Sequence, residues 1–346
     1  MFVRGRRYMS MLGTRPALRT FTYGLSWVTT IGLFIVNLAG FIDTETGSAF
    51  GCGRQWPLCN GNVIPRTWGV QTLIEFSHRG LVGVVTVLLL GLAVLSWVCF
   101  RAWLEVRWLV ILSVAFVFLE AFLGAMGVLF ADPPAVLSIH FGVALIALGA
   151  AFLLTVVIGQ ILRQVEPNRS LRVQTSDVWF ANLSKIAFVL LYIAMYVGAY
   201  VSSSGDGAAF RGWPIPTESY AVAGSAFYID ILHRSLAACL IALLVYMTIR
   251  VHRLRKDRPD LYRGMIVTLV FALLQGMTGG LLIATHLRIS VFLLHVSTVS
   301  LLFCGLSYVV LQTLPVPKRA RQSGHISDAT LPAKSPLGKN VAKRTR

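Results

Sequence analysis

Long apolar runs with few or no charges recur eight times along this chain, and nothing else in the sequence restricts its fold as strongly. Each is at least the ~20 residues that a helix needs to cross the hydrocarbon core of a bilayer. The runs predict spanning helices at about residues 21–42, 72–100, 107–130, 136–162, 179–201, 225–250, 262–284 and 289–314. A chain that is 56% hydrophobic and only 13% charged has more apolar surface than a water-soluble domain can bury. The expected class is all-α and integral to the membrane.

The formal net charge of +17 would suggest nucleic acid in a soluble protein, but its distribution says otherwise. Arg4, Arg6, Arg7, Arg15 and Arg19 precede the first run, Arg163, Arg169 and Arg172 lie in one connection, and six Lys or Arg crowd the 250–263 connection. Eight more lie beyond Leu314. The alternate connections hold only Arg54, Arg66, Arg211 and Arg288. By the positive-inside rule both termini are cytoplasmic and the poorly charged connections face outward, in a multi-pass protein of the cell membrane. The first run is long and lacks a small-residue cleavage pattern, so it is expected to stay as a helix. Residues 1–20 are read as a cytoplasmic segment, 163–178 as a cytoplasmic linker, and 315–346 as a basic, disordered tail able to touch anionic lipid.

Four spans return a chain to the side where it began, so residues 21–162 and 179–314 are expected to form two pseudo-symmetric four-helix bundles, a parallel repeat. The sequence repeats accordingly. IEFSHR at 74–79 is echoed by IDILHR at 229–234, an offset of 155 residues that pairs Glu75 with Asp230, His78 with His233 and Arg79 with Arg234. The same offset carries His140 onto His295 and Glu120 onto Gln275. The loop TGSAFGCGRQWP at 46–57 loosely resembles GDGAAFRGWP at 205–214.

His78, His140, His233 and His295 each lie about four to seven residues inside the outward end of an even-numbered span, or ~6 to 10 Å into the membrane. Ionisable side chains in a span are costly and usually face the protein interior, where they do work or bridge helices through hydrogen bonds. Heme iron explains the shared depth, because a low-spin iron takes two imidazoles from opposite faces of one planar ring. The pairs are His78 with His140 and His233 with His295. His252, His286 and His325 fall at a helix end, in a connection and in the tail, and are read as solvated.

The halves are not equivalent. Glu75 stands one helical turn outward of His78 on the same face, within reach of a group at a heme edge, or else pairs with Arg79. Glu120 has an uncharged counterpart. Arg79 and Arg234 are either counter-ions for heme propionates or partners of Glu75 and Asp230. Cys52 and Cys59 lie in the first outward loop, where a bond between them is either an electron shuttle or a structural clip. Trp56 in the same loop either lies at the lipid interface or covers a bound ring. Cys99, Cys239 and Cys304 lie in spans and read as packing residues.

The segments TETGSAFGCGRQWPLCNG (44–61) and QTLIEFSHRG (71–80), with the two histidine pairs, resemble the heme A synthase family in its Gram-positive-like form with a cysteine pair in the first outward loop. The likeness covers about residues 20–314. It implies oxidation of the C8 methyl of heme O to the formyl group of heme A, for assembly of heme-copper oxidases. His78 and His140 would then hold the substrate heme, His233 and His295 a resident heme b, Glu75 would act in catalysis and Cys52 and Cys59 would be disulfide-bonded. Arg79, Glu120, Asp230 and Arg234 are accessory candidates. Implied partners are heme O, membrane lipid, a heme O synthase, a quinol or other electron donor and oxidase assembly factors. The main rival is a bis-histidine diheme cytochrome b in quinol-linked electron transfer, built from the same four ligands.

Overall fold

The computed structural model describes residues 16–163 and 177–315. Within them are eight long helices and no strand: α1 (Pro16–Glu45), α2 (Val70–Phe100), α3 (Leu104–Phe130), α4 (Pro134–Leu162), α5 (Val178–Ser203), α6 (Ala226–His252), α7 (Pro259–Ala284) and α8 (Ile289–Thr313). All eight are long and apolar enough to cross a membrane. The expectations for residues 1–15, 164–176 and 316–346 lie outside the described residues.

Helix ends follow local chemistry. Pro134 and Pro259 sit in first turns, where a missing N–H costs nothing. Asp177 caps α5 by accepting the Phe180 N–H at 2.9 Å. The tight α3–α4 turn uses two residues of positive φ, Ala131 and Asp132, and the α7–α8 turn uses His286 and Leu287, displaced by the same 155 positions. The largest departure from the sequence expectation is α1, which starts five residues earlier, at Pro16, and runs on through Asp43 to Glu45. The uncharged run stops at the first carboxylate, whereas the helix carries Asp43 among its buried residues.

In the first four helices α1 packs on α2 and α4, and α3 closes the ring between them; in the last four α5, α6, α7 and α8 repeat that neighbour pattern. The rings meet through α4 against α5 and α8, and α8 against α1. Accordingly, 72% of the apolar stretch of α4 and 50% of that of α8 lie inside the protein, against 33% or less for the others. Lipid tails are as apolar as leucine, so close packing and hydrogen bonds, rather than water exclusion, hold such helices together. Gly142, Gly149 and Gly159 of α4 accept Tyr192, Phe303 and Tyr23 where a β-carbon would stand 2.8, 2.6 and 3.1 Å from them. Thr30 and Thr155 join α1 to α4 at 3.1 Å, and Ser184 and Thr313 join α5 to α8 at 3.1 Å. Each such bond contributes about 0.6 kcal/mol.

Candidate functional site

Each of the four histidines sits in the first two to three turns of an even-numbered helix, and each ring lies against a glycine of the preceding helix. A β-carbon on Gly40 of α1 would stand 3.2 Å from His78 Cε1, and one on Gly124 of α3 would stand 3.2 Å from His140 Cε1. In the other ring Gly198 of α5 faces His233 at 2.6 Å and Gly279 of α7 faces His295 at 3.4 Å. His78 lies within electrostatic reach of His140, and His295 within that of His233.

The rings are not held alike. His233 Nδ1 donates to the Ala194 carbonyl at 3.1 Å, since a carbonyl can only accept, which leaves Nε2 with a free lone pair. His295 Nδ1 lies 3.0 Å from Thr278 Oγ1, and its Nε2 accepts from the Gln275 amide at 2.9 Å. Thr298 donates to Gln275 Oε1 and so orients that amide. By contrast, His78 Nδ1 is buried with no hydrogen-bond partner, and His140 Nε2 stands 3.8 Å from Glu120 Oε1, beyond hydrogen-bond distance. Glu120 and Gln275 thus face equivalent histidines, one as a loose charge and one as a bonded amide.

Above His78 the Cys52–Cys59 disulfide closes a compact loop. Glu75, 1% exposed, accepts the Cys52 N–H at 2.5 Å and pairs with Arg79. Arg79 Nη1 donates to the carbonyls of Gln55 (3.1 Å) and Leu58 (3.0 Å), and Thr72 donates to that of Gly51 at 2.8 Å. Gly51 is pressed against the Gln71–Thr72 backbone so closely that no side chain fits there. The second loop is held more simply. Arg234 Nη1 donates to Gly212 (2.6 Å) and Pro214 (3.1 Å), Nε pairs with Asp230 at 2.7 Å, and Nη2 is buried without a hydrogen-bond partner. Both arginines therefore bind their loops and carboxylates, while Arg234 keeps one donor uncommitted. Trp213 packs on Gly280 of α7, whereas Trp56 is half exposed.

Residues 23–306 match the COX15-CtaA family, described as a cytochrome oxidase assembly protein. The chain belongs to the COX15-CtaA family. A heme A synthase of Bacillus cereus (strain G9842) is 31% identical over 314 residues, 90% of this chain and 100% of that protein. Heme A synthases of Staphylococcus epidermidis (strain RP62A) and Staphylococcus saprophyticus (strain ATCC 15305) are 30% and 32% identical, each over 84% of this chain and 96% and 95% of their own length.

The matched span of this COX15-CtaA member holds all four histidines and the disulfide. Several site residues escaped sequence reasoning. Gly124 and Gly279 were visible, because the 155-residue offset pairs them. Gly40 and Gly198 are separated by 158, so a gapless comparison misses them. Asp43 and Asp132 carry no repeat signal at all. Phe41 of α1 lies edge-on to Phe141, next to His140, and to Phe292 of α8, at ring separations of 4.9 and 5.5 Å. These rings join α1, α4 and α8.

Proposed function

We propose that this protein is a heme A synthase, a membrane oxidoreductase converting heme O to heme A for heme-copper oxidase assembly. The family match and relatives aligned over most of the chain support the activity. In our reading residues 21–162 form the substrate half and 179–314 the electron-relay half, related by an axis along the membrane normal. The histidine-bearing ends of α2, α4, α6 and α8 face outward, both termini are cytoplasmic, and the membrane is the plasma membrane.

One observation carries the division of labour: the second pair of imidazoles is locked by hydrogen bonds and the first is not. Ligands of a resident group are fixed in tautomer and orientation by their outer partners, whereas those of a substrate that enters and leaves need freedom to turn. We assign His233 and His295 to heme b, with both Nδ1 atoms donating so that both Nε2 lone pairs suit iron. His295 Nε2 would have to give up its bond from the Gln275 amide in order to hold iron. The uncommitted Nη2 of Arg234 suits a heme carboxylate. Heme b, when bound, supplies a one-electron relay.

His78 and His140 receive heme O. Glu75 has two tasks: it holds the disulfide loop over the site and keeps a carboxylate one turn outward of His78, where it exchanges protons or steadies positive charge near the methyl being oxidised. Arg79 and Arg234 anchor the loops, Asp230 serves Arg234, and Glu120 orients or exchanges a proton with His140. The disulfide serves as a clip for the Cys52 N–H. Heme O synthase, a quinol or other electron donor and oxidase assembly factors are the partners such a reaction requires.

The test is to express the chain in a membrane that contains heme O and lacks a heme A synthase, then identify extracted hemes by chromatography and mass. Appearance of heme A is expected. Unchanged heme O beside two permanently bound hemes would support the diheme electron carrier instead.

A further inference from the structure

Asp43 stands apart from the groups already assigned. It lies on α1 three residues beyond Gly40, the glycine against His78, so it shares that helix face one turn nearer the loop-bearing end. It is only 8% exposed, and its Oδ1 is buried with no hydrogen-bond partner. The charged groups that face it are Glu75 and Arg79 from α2 and Asp132 from the α3–α4 turn. Asp132 is half-buried at the rim, its Oδ1 beside Gly127, and within electrostatic reach of His140. Burial pushes the Asp132 carboxyl above the ordinary range, while His140 opposes the shift.

A buried carboxylate oxygen without a donor is expensive unless it has a task. In the other half Asp230 Oδ2 is also buried without a hydrogen bond, but it is ion-paired with Arg234 at 2.7 Å, whereas no ion pair is seen for Asp43 among the described residues. Counting from the paired glycines, Asp43 falls on Val201, and at the 155-residue offset Asp132 falls on Leu287. Asp43 and Asp132 thus have no carboxyl counterparts at the matching positions, and they lie within electrostatic reach of each other between the His78 face and the rim.

We propose that Asp43 and Asp132 conduct protons between the heme O site and the outward face. Making the formyl group requires proton traffic whichever oxygen source is used. With water and an electron acceptor, R–CH3 + H2O gives R–CHO, four electrons and four protons. With dioxygen and an electron donor, R–CH3 + 2 O2 + 4 e− + 4 H+ gives R–CHO + 3 H2O. Four protons cross the site in either balance, outward in the first and inward in the second. Asp43 acts as a relay between Glu75 and Asp132, and not as a ligand of either heme.

This inference rests on the heme A synthase assignment, so the experiment uses the full chain in membranes supplied with heme O. Asp43→Asn, Asp43→Glu and Asp132→Asn are compared with the unmodified protein for heme content, heme A formation across pH, and solvent deuterium isotope effect. A readout independent of turnover is the pH dependence of the midpoint potential of the heme held in the first half. Asp43→Asn is expected to keep both hemes, form heme A at least ten-fold more slowly, flatten the pH profile and reduce the slope of potential against pH. Asp43→Glu is expected to restore most of the rate. Normal rate and unchanged pH slope in Asp43→Asn overturn the proposal. Should that variant lose heme, Asp132→Asn decides: slowed turnover with heme retained supports the relay, and an unaltered rate overturns it. Failure of the unmodified protein to make heme A would instead count against the assignment of function.

Discussion

Glu75 Oε2 accepts the backbone N–H of Cys52 at 2.5 Å, so the disulfide loop is tied directly to the helix that presents His78. The same carboxylate pairs with Arg79, whose other donors reach the carbonyls of Gln55 and Leu58. One buried side chain thus couples loop, arginine and histidine helix. Asp230 is one methylene shorter, pairs with Arg234, and makes no hydrogen bond to the loop backbone among the described residues. The extra reach of glutamate distinguishes the half assigned to chemistry.

Glu75→Gln keeps an acceptor for the Cys52 N–H but removes the ion pair. A single deletion that leaves a partly buried arginine unpaired is expected to cost about 1–3 kcal/mol in thermal unfolding. Heme A formation is expected to fall at least ten-fold while heme b is retained. Normal turnover with both hemes bound would remove Glu75 from the reaction.

Gly198→Ala places a methyl group 2.6 Å from His233 Cε1, closer than carbon atoms pack. The ring must turn away from the Ala194 carbonyl, at a packing cost of about 1–3 kcal/mol. The low-spin heme b spectrum should weaken or disappear, while heme O binding persists. Gly279→Ala, with 3.4 Å available to His295, should do far less.

Replacing Cys52 and Cys59 by serine removes a cross-link between residues seven apart. The chain-entropy contribution lost is about 2–3 kcal/mol. Because the Cys52 N–H is the one bound by Glu75, limited proteolysis should find the 46–62 loop loosened and heme A formation reduced. Heme b content should not change. Full activity of the double variant under oxidising and reducing conditions would show that neither clip nor shuttle is needed.

For Asp132 the sign of the pH effect follows from its raised carboxyl pKa. A group that binds its proton more tightly in the folded state contributes stability that is complete below the unfolded pKa and lost as pH rises through the folded one. Asp132→Asn should therefore melt higher than the parent near neutral pH and lose that advantage on acidification. Thermal melts at two pH values check this, and an advantage that grows toward acid would contradict it.

Much of this was readable in the chain. Eight spans followed from long apolar runs poor in charge, and four histidines inside them stood out because ionisable groups are rare in such segments. The IEFSHR and IDILHR echo set Glu75 beside Arg79 and Asp230 beside Arg234, and each of these ion pairs is present in the structure. Packing details were not readable: a glycine signals permissiveness, but only the structure says which ring it admits. Nor could sequence show whether Arg79 serves a propionate or Glu75, since both partners offer the same charge. Asp43 marks the end of an uncharged run in the sequence, and its burial on α1 is visible only in the structure.

The central claim is that the two histidine pairs hold different hemes. Heme extraction from single alanine variants of His78, His140, His233 and His295 tests it most directly. Changes at His233 and His295 are expected to remove heme b, and changes at His78 and His140 to remove heme O and heme A while leaving heme b in place. Loss of the same heme from all four variants would contradict it.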